Sequence, residues 1–107
     1  MLNDLAGSWT LVDSTGSLVT AEYCSIAFKP STGDPYVAFK DVSNSNKTTV
    51  MKYNGTTWEV VGSIGFSNTA QWHTLKFNPL TQEPYVAFGE DTGSGYKTTV
   101  MRYGACP

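Results

Sequence analysis

An internal repeat is the feature that most constrains the fold of this chain. The block Pro35–Phe39, Pro-Tyr-Val-Ala-Phe, returns 49 residues later as Pro84–Phe88. The block Lys47–Met51, Lys-Thr-Thr-Val-Met, returns 50 residues later as Lys97–Met101, so the second copy has one extra residue in the loop between the blocks. A period in this range is typical of β-propellers and related repeat architectures.

Each repeat predicts short strands separated by turns. In the first copy the predicted strands are 24–29, 36–40, 48–53 and 58–61, and Asn54-Gly55 is a strong hairpin signal between the last two. Helical periodicity is absent. Tyr-Val-Ala-Phe is apolar on successive residues, so both faces of that strand should be covered.

These patterns predict an all-β fold with two four-stranded β-propeller blades in one unit, 1–107. With strands A to D counted outward from the channel, blade 1 spans 23–62 and blade 2 supplies strands A to C over 72–107. The alternative is a two-sheet sandwich of about seven strands. A sandwich should alternate apolar and polar residues more cleanly, and it does not explain the repeat.

Composition narrows the function classes. The 107 residues are 40% hydrophobic and 15% charged, with a net charge of -2, which excludes a disordered chain. A pI near 5.1 without a basic stripe argues against nucleic acid as a partner. No apolar run has a membrane-spanning length of about 20 residues, and no signal peptide is evident, so we expect a soluble chain without a membrane partner. The compartment is not predicted.

The residues do not predict an enzyme, a cofactor or a metal site. The single histidine, His73, has Cys24 as its repeat equivalent, and both are expected at the starts of inner strands near the channel. Equivalent positions in stacked sheets lie about 10 Å apart, too far for a nucleophilic Cys-His pair. A disulfide between Cys24 and Cys106 is not expected, because strand direction places them at opposite ends of the blades.

A ligand site is predicted where the B-C and D-A loops share one face. Carboxylates beside exposed aromatic rings can hold a sugar by hydrogen bonding and stacking. The candidate residues are Tyr23, Asp41, Phe66, Trp72, Glu90 and Asp91. In the alternative interpretation, Tyr23 and Trp72 fill the gap between blades and the acids face water.

Two blades alone should not be stable as a monomer. Val37, Phe39, Val86 and Phe88 would lie on sheet faces with only one neighbour, so we expect the chain's main partner to be itself. Three chains would give six blades, which we favour, and four chains would give eight.

The repeat also predicts how the ring closes. Trp9 matches Trp58, so residues 7–13 form a spare D strand, whereas blade 2 has none. We expect Trp9, Leu11 and Val12 to pair beside Val100 and Tyr103 of a neighbouring chain.

The segment Tyr53-Asn54-Gly55-Thr56-Thr57-Trp58, with the repeated blocks around it, resembles the blade repeats of bacterial propellers. Gly55–Trp58 is similar to the end of the sialidase-type Asp-box, but Tyr53 replaces its Asp, and the resemblance implies no sialidase activity. The two-blade count is similar to that of small fucose-binding lectins that trimerise and bind sugar through Arg, Glu and Trp. The only arginine, Arg102, is far from a repeated Glu-Trp pair, so the resemblance implies the architecture without that site.

The function expected from the sequence is therefore a non-enzymatic, self-assembling propeller that serves as a binding module, with glycan as the candidate ligand. The alternative is a structural repeat unit, or a fragment of a larger propeller, without a ligand of its own.

Overall fold

The computed structural model describes residues 7–8 and 20–104, and these form two antiparallel sheets. Sheet A contains β1 (Ala21–Phe28), β2 (Pro35–Asp41), β3 (Lys47–Tyr53) and β4 (Trp58–Val60), and sheet B contains β5 (Ala70–Phe77), β6 (Pro84–Asp91) and β7 (Tyr96–Arg102). Each sheet follows chain order, and a 3-10 turn, Val42–Asn44, follows β2. The predicted all-β class is confirmed. Closure of these sheets into a propeller stays a prediction.

The predicted Asn54-Gly55 hairpin joins β3 to β4. The Asn54 side-chain oxygen accepts the backbone N–H groups of Thr56 and Thr57 at 2.8 and 2.9 Å. Gly55 has a φ of 99°, which residues with a side chain rarely adopt. The turn is thus specified by local chemistry.

The first strand of each sheet begins earlier than the sequence predicts. β1 starts at Ala21 and β5 at Ala70, so Cys24 and His73 lie inside these strands and not at their starts. Both strands contain a register shift, between Glu22 and Ser25 in β1 and between Gln71 and Thr74 in β5. The bulge interrupts the alternation of side chains between the two faces of the strand, so the sequence pattern does not predict the first residues of each strand.

The two sheets pack face to face around an inter-sheet core. Tyr36 of β2 meets Phe77 of β5 edge to face, with ring centroids 4.8 Å apart. Across the same interface the Leu75 amide donates to the Ser25 hydroxyl at 3.0 Å. The buried members of this core are Tyr36, Ala38, Val50, Ala70, Leu75, Val86 and Phe88.

Strand β2 is covered on both faces, as its apolar run predicts. Ala38 and Phe39, on opposite faces, are both completely buried. The expectation that Phe39, Val86 and Phe88 lie on open faces is wrong, because all three are buried and the last two belong to the inter-sheet core. Val37, expected on the same open faces, is half-buried.

Other apolar side chains form the open faces. On sheet A, Ile26 and Phe28 of β1 are each 57% exposed, and on sheet B, Val100 of β7 is 60% exposed. In β1 the exposed positions alternate with the half-buried Ser25 and Ala27. Val100 lies opposite Ala87, on the other face of sheet B from the core residue Val86, so these side chains lie on the faces directed away from the partner sheet.

The predicted closing strand lies largely outside the described residues. Of residues 7–13 the structure describes only Gly7 and Ser8, so Trp9, Leu11 and Val12 are not placed, and neither is Cys106. Their expected neighbours, Val100 and Tyr103, are both exposed. Among the described residues, no fourth strand pairs with the outer edge of β7.

Truncation of Leu75 should destabilise the fold through loss of inter-sheet packing. Leu75 is almost fully buried between the sheets, so Leu75→Ala should lower the free energy of unfolding by about 2–5 kcal/mol. Urea denaturation measures this. The neighbouring exposed substitution Lys76→Ala should stay within about 0.5 kcal/mol of wild type, and equal effects of the two would contradict this assignment of the core.

Candidate functional site

Three aromatic side chains form an exposed cluster at one edge of the molecule. The Trp72 ring lies 5.9 Å from the Tyr23 ring and 5.7 Å from the Tyr96 ring, measured between centroids. Trp72 is 60% exposed, and the two tyrosines are also exposed. We call Tyr23, Trp72 and Tyr96 the aromatic cluster. It links sheet A to sheet B, because Tyr23 belongs to β1 and the other two to β5 and β7.

Backbone bulges position the two equivalent members of the cluster. Tyr23 and Trp72 have φ values of 52° and 57°, in the left-handed region that bulky residues rarely occupy. Each such residue costs of order 1–3 kcal/mol, and strained residues of this kind concentrate at functional sites. Both repeats retain this conformation, so the surrounding strand pairing must stabilise it.

The floor beneath each ring differs between the repeats. A Cβ at Gly89 would lie 3.3 Å from the Trp72 ring, so glycine allows the indole to lie close to strand β6. The repeat equivalent of Gly89 is Lys40. Its ammonium lies 5.5 Å from the centroid of Tyr23, within cation-π range, and 3.4 Å from a carboxylate oxygen of Glu22.

Polar groups surround the aromatic cluster. The Gln71 side-chain amide donates to the Tyr96 hydroxyl at 2.9 Å. With the Lys40–Glu22 ion pair on the other side, the cluster has both donors and acceptors at its rim. Sequence analysis missed Tyr96, Lys40 and Glu22. Only strand pairing brings them to the cluster, since Tyr96 opposes Asp91 and Lys40 opposes Glu22 in the sheets.

The two predicted carboxylates at the ends of β2 and β6 are internal hydrogen-bond acceptors. Thr49 donates to Asp41, and its repeat equivalent Thr99 donates to Glu90, each at 2.9 Å. Glu90 also accepts the Asn68 amide at 3.0 Å. That backbone hydrogen bond, followed by the Thr99 hydroxyl, lowers the pKa of Glu90. Both carboxylates are buried and tie the loops to the strands.

The remaining predicted ligand residues lie in two other environments. Asp91 accepts the Gly93 amide at 2.8 Å and so fixes the turn after β6. Phe66 is half-buried and packs against the inter-sheet core. Of the six predicted residues, the structure therefore brings together Tyr23 and Trp72 at an exposed position.

A buried polar network, also missed by sequence analysis, joins the sheets beneath the aromatic cluster. The Thr48 hydroxyl and His73 Nε2 share a hydrogen bond of 2.9 Å, and the Ser67 hydroxyl lies 2.8 Å from the same Thr48 oxygen. Phe88 stacks on the imidazole with centroids 5.6 Å apart. No sequence spacing pairs Thr48 with His73, because the contact crosses from β3 to β5.

The imidazole is held neutral in this network. Burial, and to a smaller degree the Lys40 charge, lower the pKa of His73 to about 4. The nearby backbone of Tyr23 opposes this shift, although Nδ1 has no hydrogen-bond partner of good geometry among the described residues. For Cys24, partial burial raises the pKa of the thiol, which is the opposite of the shift that activates a nucleophilic cysteine.

Searches of known proteins give no relative. No protein-family model matches the chain, and neither a curated protein nor a solved structure does. Within 20–104 and residues 7–8, three or more His, Cys, Asp and Glu side chains nowhere gather in a way that could hold a metal ion. The same described part of the chain contains no helix of the length and apolarity that a membrane crossing requires.

Neutral His73 makes the stability of the fold depend on pH. Its pKa is about 4 in the folded protein and ordinarily 6.5, so between these values the unfolded chain binds more protons. Stability should therefore be complete above pH 6.5 and fall as the pH decreases through 4. We expect the melting temperature of His73→Gln to change less over this window than that of the wild type.

Thermal melts between pH 7.5 and 5 isolate this effect. Glu90 contributes little there, because its ordinary pKa of 4.5 in the unfolded chain and its lower pKa in the folded protein both lie below pH 5. Parallel curves for wild type and His73→Gln in this range would contradict the neutral state of the buried ring.

Proposed function

We propose that this chain is a non-enzymatic, self-assembling β-propeller subunit whose copies stack head to tail into a closed ring. One observation supports this proposal most strongly. The contact between sheets A and B uses opposite faces of two equivalent sheets, and apolar residues of the two matching faces, Ile26 and Phe28 on sheet A and Val100 on sheet B, are exposed at the ends of the pair. A second copy can therefore repeat, between chains, the contact already made within one chain.

The open face of sheet B matches the face that sheet A uses in the inter-sheet core. Tyr36 and Val50 are buried in that core, and their repeat equivalents are Tyr85 and Val100. Tyr85 is only half-buried and Val100 is 60% exposed. The repeats share these residue types but differ in their burial, which supports the proposal that another sheet packs on this face of sheet B in the ring.

The open part of sheet A matches the face that sheet B uses. Leu75 and Phe77 of β5 pack on sheet A, and their equivalents in β1 are Ile26 and Phe28. Both equivalents are largely exposed. In the proposed junction Phe28 of one chain meets Tyr85 of the next, in the arrangement that Phe77 and Tyr36 adopt within the chain.

A head-to-tail contact either closes into a ring or continues as a filament. Each chain contributes two sheets, so a closed ring contains an even number of blades. We favour three chains with six blades, and four chains with eight are the next choice. A closed ring would bury the apolar faces that a pair of sheets leaves exposed.

Ring formation predicts a defined mass in solution. Wild-type protein should have about three times the chain mass of 11.6 kDa at micromolar concentration, measured by analytical ultracentrifugation or light scattering. Val100→Asp places a charge on one open face and should yield monomers, and so should Ile26→Asp on the other face. Leu80→Asp, at a 92% exposed position in the turn after β5, should leave the mass unchanged.

The thiol of Cys24 provides a second measurement. Its repeat equivalent His73 is buried by the in-chain junction, so the between-chain junction should bury Cys24. In a Cys106→Ser background the thiol should react slowly with a thiol reagent in the ring and faster in the Val100→Asp variant. A monomeric wild type, or a mass that keeps growing with concentration, would contradict the closed ring.

We propose that the ring serves as a carbohydrate-binding module, for which the aromatic cluster supplies the support. Exposed aromatic rings offer apolar faces to the C–H groups of a sugar, and nearby polar groups can bind its hydroxyls. Lys40, Glu22 and Gln71 provide such groups around Tyr23 and Trp72. Identical clusters on a rigid ring would add avidity to weak individual sites. The alternative is an assembly unit without a ligand.

Loss of the indole should abolish glycan binding without loss of the ring. Trp72→Ala should reduce binding on a glycan array on the order of tenfold or more, because it removes the largest exposed ring of the cluster. Trp72→Phe, which keeps an aromatic face, should retain part of the signal. The mass of each variant is measured in parallel, and unchanged binding by a ring-forming Trp72→Ala protein would contradict the site.

A further inference from the structure

We propose that the free edge of β7, with the apolar groove beside it, accepts residues 9–12 of a second copy of this chain as the fourth strand of sheet B. This inference rests on the head-to-tail ring proposed above. It adds an exchanged strand to each junction, and the two proposals are tested separately, the ring by the wild-type mass and the strand by the variants below.

The groove lies between the sheets next to β7. Its volume is about 210 Å³, and it is lined mainly by Val50, Val61, Phe66, Leu75, Val86 and Met101. Tyr103 lies at its rim, where the ring is so close that a Cβ on Gly62 would lie 3.1 Å from it. This open apolar space borders a strand whose outer edge has no partner among the described residues.

Sheet A shows what fills the equivalent place. There β4 pairs with β3, so that Val60 lies opposite Met51 and Trp58 opposite Tyr53. The Trp58 and Tyr53 rings pack with centroids 5.4 Å apart, and Met51 is only 8% exposed. A fourth strand thus covers the outer ends of the apolar face of sheet A.

Sheet B has the same residues without that cover. Met101 and Tyr103 are the repeat equivalents of Met51 and Tyr53, and they are 39% and 56% exposed. This difference in burial is what the absence of a fourth strand from the outer edge of sheet B would produce. The occupant should offer an aromatic residue opposite Tyr103 and, two residues later, an aliphatic one opposite Met101.

One segment of the chain has this pattern. Trp9-Thr10-Leu11-Val12 aligns with Trp58-Glu59-Val60-Val61, 49 residues later. In the register of sheet A, Trp9 lies opposite Tyr103 and Leu11 opposite Met101. Thr10 then takes the outward position of Glu59, which is exposed in β4.

Chain connectivity assigns the segment to another copy. The chain passes directly from β4, the outer strand of sheet A, to β5, the first strand of sheet B. An outer strand thus belongs to one sheet, and the strand that follows it in the chain begins the next sheet. Residues 9–12 precede β1 and therefore belong to the sheet that precedes sheet A. In the proposed ring that sheet is sheet B of the neighbouring copy.

A matched pair of substitutions tests the side-chain alternation of the strand. Leu11→Asp places a charge in the groove, and Thr10→Asp places one on the outer side. We expect Leu11→Asp, and likewise deletion of residues 1–13, to shift the ring to smaller species, whereas Thr10→Asp keeps the wild-type mass. If all three variants keep the wild-type mass and melting temperature, strand exchange is wrong and the ring stands.

Disulfide trapping then identifies which chain supplies the strand. The positions equivalent to Leu11 and Met101 in sheet A, Val60 and Met51, form a non-hydrogen-bonded pair, since Val61 donates to Val50 at 2.8 Å, and such pairs bring Cα atoms close enough for a disulfide. In a chain without native cysteines, Leu11→Cys and Met101→Cys are placed on separate copies and mixed. A cross-linked heterodimer supports exchange between chains.

Two other outcomes of the trapping experiment overturn the proposal. Efficient closure within one chain that carries both cysteines, without cross-linking of mixed copies, would mean that the strand pairs with its own chain. Absence of either cross-link from a ring of wild-type mass would mean that another group fills the groove. A monomeric wild-type chain would instead remove the ring itself, and mass measurement recognises that case first.

Discussion

The packing of two equivalent sheets through non-equivalent faces is the contact on which the rest of the structure depends. Sheet A presents Tyr36 and Val50 to this interface, and sheet B presents Leu75 and Phe88. Because the sheets are repeats of one another, each retains a copy of the face that the other has used. A contact between non-equivalent faces leaves one unused face on each of the two sheets. Its geometry therefore determines which apolar residues are buried and which remain exposed.

The interface also accounts for the polar and strained features at its edge. His73 is desolvated where β5 meets β3, and Tyr23 and Trp72 leave regular strand geometry where the sheets meet solvent. A bulge in the first strand of each sheet, β1 and β5, redirects one aromatic side chain, while the rest of the strand continues to pair. The residues of the aromatic cluster therefore lie on the same repeated strands that form the core, and not on separate loops.

Much of the fold could be predicted from the sequence, because the repeated blocks are local patterns. Alternation and turn chemistry around Asn54 locate strands and hairpins without long-range information. The bulges could not be predicted, since a single residue in a left-handed conformation leaves no periodic trace. The sequence pattern also could not predict which face of sheet B packs on sheet A, because Tyr85–Phe88 is apolar on both faces. Val86 and Phe88, expected on the open face, are buried.

The candidate site was less accessible to sequence analysis. Trp72 and Tyr23 could be selected as aromatic residues at equivalent positions. For Asp41 and Glu90, the sequence does not distinguish a ligand-binding carboxylate from one that accepts a hydrogen bond from a threonine hydroxyl. Tyr96 and Lys40 come to the cluster only through cross-strand pairing. Charged residues close to aromatic ones in the chain are thus a weaker guide than residues that oppose each other in the sheet.

The contact between Trp72 and Gly89 makes the two positions depend on each other in mutagenesis. Tyr23 leaves room for Lys40 below it, whereas the indole of Trp72 crowds any side chain at the matching position. On a mutational path from a Tyr–Lys pair to a Trp–Gly pair, glycine first opens the space and tryptophan then occupies it. The reverse order passes through a crowded intermediate, so substitutions at positions 72 and 89 should be non-additive.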